Sequence, residues 1–116
     1  MDDLSIERES TYRVYSYLDK HTNSDYRIIF ADGTQYIAKF EDAYDSDNEN
    51  DGARDERDPN YYEYFNLAFR IIKVIKAGPH NWRDMINIDY RRFPSRVEDI
   101  TNGVVVYPPS GAVAPN

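Results

Sequence analysis

An Asp-Gly pair between two apolar segments is the feature that most constrains the fold of this chain. Residues 26–31 read YRIIFA and residues 34–40 read TQYIAKF, with Asp32 and Gly33 between them. This pattern predicts a β-hairpin with a two-residue turn, in which glycine supplies the positive φ that the turn requires.

A turn at 32–33 gives the hairpin two apolar faces, because it places Ile28 opposite Ile37. One face then carries Tyr26, Ile28, Phe30 and Ile37. The other face carries Ile29, Tyr36, Ala38 and Phe40. One helix can cover only one of these faces. We therefore expect a partner, a second copy or the N-terminal segment to cover the other.

Residues 60–77 are predicted to form the main helix. Apolar side chains recur there at spacings of three and four, from Tyr61 to Ile75. Pro59 suits the first position of a helix, and the Gly78-Pro79 pair that follows is typical of a helix end.

The remaining segments predict mainly strands. Residues 11–18 favour a strand over a competing helix, because their side chains are β-branched or aromatic. Strands are also expected at 85–90 and 104–107, whereas 96–101 fits either a strand or a short helical turn.

These elements predict an α+β fold, in which an antiparallel sheet packs against one main helix at about 60–77. The sheet combines an N-terminal meander with C-terminal strands. A length of 116 residues fits one domain, which we place at 1–107. Residues 108–116 are rich in Pro, Gly and Ala and are expected to form a flexible tail.

Residues 41–59 are predicted to form a long acidic loop. They hold nine acidic residues and two arginines, so their net charge of -7 equals that of the whole chain. The excess of carboxylates repels phosphates, and we therefore expect no direct binding of nucleic acid.

Part of this loop has the spacing of a calcium-binding EF-hand loop, with Gly52 at its sixth position. The candidate metal ligands are Asp47, Glu49, Asp51, Asp55 and Asp58. The pattern departs from the motif at Arg54, where an apolar residue is usual, and at Pro59, where the exit helix should already have begun. Calcium is therefore an alternative to a solvated loop, and no other cofactor is indicated.

The leading functional hypothesis is a small, non-catalytic module that binds another protein. Its acidic loop would steer a basic partner, and tyrosines would supply contact area. The predicted contact residues are Tyr36, Phe40, Tyr44, Asp45, Asp47, Glu49, Asp51 and Tyr62. One form of this class is an inhibitor or immunity-type protein that mimics nucleic acid on a partner's basic surface. Self-association as a homo-oligomer is another.

Several classes of protein lack support in the sequence. The chain has no cysteine and therefore no disulfide, thiolate site or thiol nucleophile. It has no nucleophile elbow or Gly-rich phosphate loop, and His21 and His80 lie in polar segments. A small enzyme with no visible site is the remaining alternative. No apolar run approaches the ~18 residues of a membrane span, and the acidic N-terminus resembles no secretion signal. We therefore expect a cytoplasmic protein without a membrane partner.

Overall fold

The computed structural model describes residues 8–47, 63–79 and 84–109, which form a six-stranded antiparallel sheet and one helix. The strands are β1 (Asp25–Ile29), β2 (Gln35–Asp47), β3 (Glu63–Lys76), β4 (Met85–Ile88), β5 (Arg96–Asp99) and β6 (Val104–Tyr107). Their order in the sheet is β4-β3-β2-β1-β5-β6. A π-helical turn (Arg8–Tyr12) leads into helix α1 (Arg13–Leu18), and a 3-10 turn (Tyr90–Arg92) follows β4. The predicted α+β class is confirmed.

The predicted position of the main helix is wrong, because β3 occupies most of the segment 60–77. Phe65, Leu67, Phe69 and Ile71 alternate along this strand and face the core. Nine of the twelve positions from 64 to 75 are apolar, so both a helical and a strand period can be drawn through the segment. The β-branched and aromatic side chains decide the outcome, since they pack well on a pleated sheet.

Two β-bulges in β3 occur at residues that also fit the predicted helical spacing. The register against β2 shifts at Ile72 and again at Ile75, and neither residue has a direct partner on that strand. Their side chains are 48% and 43% exposed. Bulges inserted three residues apart place apolar residues at helical spacing within an extended strand.

The segment 11–18 is helical, so the prediction of a strand there is wrong and the competing helix is correct. Val14 and Leu18 lie one helical turn apart and are both fully buried. They join the same apolar cluster as Tyr26 and Ile28 of β1. The N-terminal helix thus covers one face of the sheet.

The hairpin lies where it is predicted, but its register differs by one residue. The backbone N–H of Phe30 donates to the carbonyl of Thr34 at 2.9 Å, which leaves the three-residue loop 31–33 with Gly33 at φ +94°. This is the turn followed by a left-handed glycine that is typical of three-residue hairpin loops. Ile28 consequently lies opposite Tyr36 rather than Ile37.

This one-residue difference removes the second apolar face. Tyr36 and Ala38 move to the face of Tyr26 and Ile28, and all four are buried beneath α1. A slip of one residue exchanges the two faces of a strand. The opposite face, here called the open face, carries half-buried side chains such as Arg27 and Ile37 in the hairpin.

The C-terminal strands agree with the sequence. β6 has the predicted bounds, β4 ends two residues early, and 96–99 form a strand rather than a helical turn. The predicted loop 41–59 needs a correction, because 41–47 continue β2 and pair with β3. Residues 48–59 and the end of the tail, 110–116, lie outside the described residues.

Candidate functional site

The far end of β2 presents an acidic strip, which we define as Glu41, Asp42 and Asp45. All three residues are exposed, as is Tyr44 between them. Asp42 and Tyr44 share the open face, whereas Asp45 points to the other side of the strand. The Glu41 carboxylate accepts a hydrogen bond from Arg70 Nε at 2.6 Å. Asp42 and Asp45 form no ion pair with another described residue.

The predicted contact residues are only partly brought together. Tyr44 and Asp45 share the exposed end of β2, and Asp47 is its last residue. Tyr36 is 2% exposed and Phe40 packs on Phe69 and Tyr15, so both belong to the core rather than to a contact surface. The other predicted contacts and metal ligands lie outside the described residues: Glu49, Asp51, Asp55, Asp58 and Tyr62.

A cleft of about 610 Å³ lies on the open face beside the acidic strip. Its lining residues are Tyr44, Ser46, Tyr64, Asn66, Asn87, Asp89, Arg91 and Arg92. We call it the open-face cleft. The ends of β2, β3 and β4 form its floor and the 3-10 turn forms one wall.

The wall of the open-face cleft is held by a charged pair stacked on a ring. Two nitrogens of Arg91 donate to the two carboxylate oxygens of Asp89, both at 2.9 Å. The guanidinium also lies 3.7 Å from the centre of the Tyr64 ring. A two-point ion pair on an aromatic face fixes the arginine side chain in one orientation.

The floor of the cleft carries two amides. Asn66 is only 6% exposed, and its side chain has no hydrogen-bond partner among the described residues. The side-chain oxygen of Asn87 accepts a hydrogen bond from the Tyr44 hydroxyl at 3.1 Å. Ser46 adds a hydroxyl at the rim. These groups can hold a polar ligand by hydrogen bonds rather than by apolar contact.

A second groove, of about 640 Å³, lies between α1 and β6. Its ionic and small polar side chains are Arg13, Ser16 and Lys20, and all three are exposed. It offers no buried polar group comparable to Asn66, and the open-face cleft is therefore the better-formed site.

A buried carboxylate, Asp99, ties the helix to the sheet. Its oxygens accept hydrogen bonds from the hydroxyls of Tyr17 at 2.7 Å and Ser24 at 3.0 Å. The backbone and side-chain N–H groups of Asn102 donate at 3.0 and 2.7 Å. Four donors around one carboxylate form a structural anchor between α1, the first loop and the turn after β5.

The same contacts determine the charge of Asp99. Burial acts to raise its pKa, but the hydrogen bonds from Asn102, Tyr17 and Ser24 outweigh it and hold the pKa at about 2. Burial and the bond to Asp99 raise the pKa of Tyr17 to about 12. Asp99 is thus a carboxylate and Tyr17 a neutral phenol at pH 7, and neither is poised for proton transfer there.

The side chain of His21 packs against Tyr17. Its ring stacks on Tyr17 with centroids 4.0 Å apart, and Nδ1 lies 3.0 Å from the Tyr17 carbonyl oxygen. His80 lies outside the described residues. Within the described ranges, no group of His, Asp and Glu residues could hold a metal ion. No helix in that part of the chain is long and apolar enough to cross a membrane.

Apart from Tyr44, the residues of the open-face cleft are absent from the sequence-based prediction. Asn66 and Asn87 occupy positions between core residues on alternating strands, and that alternation is their only sequence signal. A helical interpretation of 60–77 conceals it for Asn66. Arg91 and Arg92 gain their positions only through the turn after β4.

Comparisons with known proteins identify no relative: no protein-family model matches this chain, and neither curated proteins nor solved structures give a significant match.

Proposed function

We propose that this protein is a non-catalytic, protein-binding module that contacts a basic partner surface through the acidic strip. The observation that carries the proposal is that Glu41, Asp42 and Asp45 are exposed on β2, where Asp42 and Asp45 are paired with β3 and Glu41 lies at a bulge between paired residues. Charges on a paired strand keep their spacing, and the strip therefore loses little conformational entropy when a partner binds.

The distribution of charge supports this assignment. The segment 41–59 has a net charge of -7, and four of its acidic residues, Glu41, Asp42, Asp45 and Asp47, lie at one end of β2. The field of these charges accelerates encounter with a basic surface. Tyr44, which is 40% exposed within the strip, offers the aromatic contact that is common at interface centres.

A narrower form of the proposal concerns the partner. Basic protein surfaces often serve to bind nucleic acid, and a row of carboxylates on a rigid strand can occupy such a surface in place of phosphates. An inhibitor or immunity-type role would follow. The proposal needs no cofactor and places the protein in the cytoplasm.

The test compares three baits in the same lysate: the wild type, Asp42→Asn/Asp45→Asn, and the control Asp19→Asn/Asp84→Asn. The control removes two exposed carboxylates that lie outside the strip. We expect a basic protein to be captured by the wild type and the control but not by the strip variant. Its association rate with purified wild type should fall steeply as salt is added.

Capture of the same proteins by all three baits would contradict the proposal. The calcium alternative, which involves Asp47 and residues further along the acidic segment, is separated by calorimetry. The proposed function predicts no heat when millimolar calcium is titrated into metal-free protein.

A further inference from the structure

We propose that the open-face cleft binds a free mononucleotide. Its base would lie against Tyr44 and hydrogen-bond to Asn66 and Asn87, and its phosphate would meet Arg92. This site is distinct from the acidic strip, although Tyr44 borders both.

The strongest observation is the unpartnered amide of Asn66. The residue is 6% exposed and lines the cleft, yet no described residue hydrogen-bonds to its side chain. Its oxygen and nitrogen are not among the fully buried side-chain atoms, so the hydrogen-bonding end of the amide is accessible from the cleft while the rest of the residue is packed. A ligand seated in the cleft would supply the missing partner.

The second amide lies in the same cleft. Because the Asn87 oxygen accepts from Tyr44, its NH₂ group is left to donate to a ligand. The Asn66 amide offers both a donor and an acceptor. The edge of a nucleobase presents donors and acceptors side by side, and asparagine amides pair with such edges.

The aromatic rings favour a planar ligand. Tyr44 is 40% exposed and lines the cleft, and the hydrogen bond from its hydroxyl to Asn87 restrains the ring. Bases stack on tyrosine rings without regard to sequence, and each stack contributes substantially to affinity. The volume of about 610 Å³ lies within the usual range for small-molecule sites.

The charges favour one phosphate rather than a strand of them. Asp89 and Arg91 neutralise each other, so Arg92 is the remaining cation among the described residues that line the cleft. It is exposed and forms no ion pair with another described residue. Asp42 shares the open face with Tyr44 at the edge of the cleft, and its carboxylate repels further phosphates.

The experiment titrates AMP, GMP, CMP and UMP into the intact protein and follows backbone amide shifts by NMR. At least one mononucleotide should shift amides of β3, β4 and the 3-10 turn in a saturable manner. Ribose 5-phosphate should bind at least about tenfold more weakly, because it lacks a base. A ten-nucleotide single strand should bind no more tightly than the best mononucleotide at equal salt.

Three variants test the named contacts: Asn66→Leu, Asn87→Ala and Arg92→Gln. Each should raise Kd about tenfold or more, since a single lost charge-assisted or buried hydrogen bond has that effect. Lys20→Gln is the matched control, because it removes an exposed cation outside the cleft and should leave Kd unchanged. If Asn66→Leu fails to fold, Asn87→Ala and Arg92→Gln, which change exposed residues, carry the test.

The proposal is overturned if no mononucleotide produces saturable shifts up to millimolar concentration, or if the cleft variants bind like the wild type. If ribose 5-phosphate binds as tightly as the best mononucleotide, the cleft recognises only the phosphate. If the oligonucleotide binds more tightly than the best mononucleotide, the cleft is part of a surface for single strands. Either result rejects the proposal. Asp42→Asn/Asp45→Asn should bind the nucleotide as well as the wild type or better, which separates this site from the acidic strip.

Discussion

At the scale of single residues, Asp99 shows how a carboxylate can be both fully buried and charged. Its exposure is 0%, and an isolated buried carboxylate would become protonated. Four hydrogen bonds from Tyr17, Ser24 and Asn102 replace the lost water and keep it ionised. These three partners come from separate parts of the chain, and Asp99 therefore stabilises the tertiary fold rather than one element.

Asp99→Asn should lower the free energy of unfolding at pH 7 by about 2–3 kcal/mol, because the amide cannot accept from all these donors. The folded pKa of Asp99 is about 2, below its ordinary 3.8, and its contribution is therefore complete above pH 4. The contribution falls away as the pH decreases toward 2. Urea denaturation from pH 7 to pH 2 should show the difference between wild type and variant shrinking over that window.

The control for this prediction is Asp84→Asn, which changes an exposed carboxylate and should cost little at any pH. A difference between wild type and Asp99→Asn that stays constant down to pH 2 would contradict the assigned charge of Asp99.

The backbone conformation of Gly33 predicts how substitutions there change the free energy of unfolding. It closes the hairpin loop at φ +94°, a conformation that side chains with a Cβ rarely adopt. Gly33→Ala should therefore lower the free energy of unfolding by about 1 kcal/mol or more. Gly33→Asn should cost less, because asparagine enters positive φ more readily. Equal melting temperatures for all three proteins would show that the loop relaxes to another conformation.

At the scale of elements, the sequence predicts what depends on local chemistry. The Asp-Gly pair locates the hairpin, and the alternation in 85–88 and 104–107 identifies β4 and β6. The hairpin register depends on a choice between two- and three-residue loops, which the same Asp-Gly pair permits. One residue of register then decides which side chains meet α1.

The error at β3 has a different origin. The bulges at Ile72 and Ile75 follow from pairing with β2, so a single segment read alone cannot reveal them. The open-face cleft could not be predicted for the same reason, because Asn66 lies near the other lining residues only when β3 is placed between β2 and β4. The acidic character of 41–47 was visible in the sequence, whereas its position on a strand was not.

The strand assignment of β3 predicts that substitutions at Phe69 and Ile72 differ in their cost to the free energy of unfolding. Phe69 is fully buried and Ile72 is 48% exposed. Phe69→Ala should cost about 3–5 kcal/mol, whereas Ile72→Ala should cost less than about 1 kcal/mol. Urea denaturation of both variants measures this directly. The opposite order would indicate the helical packing that the sequence pattern suggested.

At the scale of the whole molecule, the two faces of the sheet have different roles. One face is covered by α1 and holds the apolar cluster, including Val14, Tyr26 and Phe69. The open face carries the polar cleft and charged side chains such as Arg27 and Asp42. This division removes the need for a partner over a second apolar face, and the case for protein binding therefore depends on charge.

The carboxylates at one end of β2 predict how the melting temperature depends on their charge and on salt. Carboxylates clustered at one end of β2 repel one another in the folded state more than in the expanded unfolded chain. Asp42→Asn/Asp45→Asn should therefore raise the melting temperature by about 1–3 °C at low salt, a change of a few tenths of a kcal/mol. The gain should vanish near 1 M salt, where the screening length is only about 3 Å. Asp19→Asn/Asp84→Asn, which removes the same formal charge from outside the strip, should give a smaller gain. A melting temperature that falls in the strip variant at low salt would show that these carboxylates stabilise the fold. Their clustering would then be explained by folding, and it would no longer support binding to a basic partner.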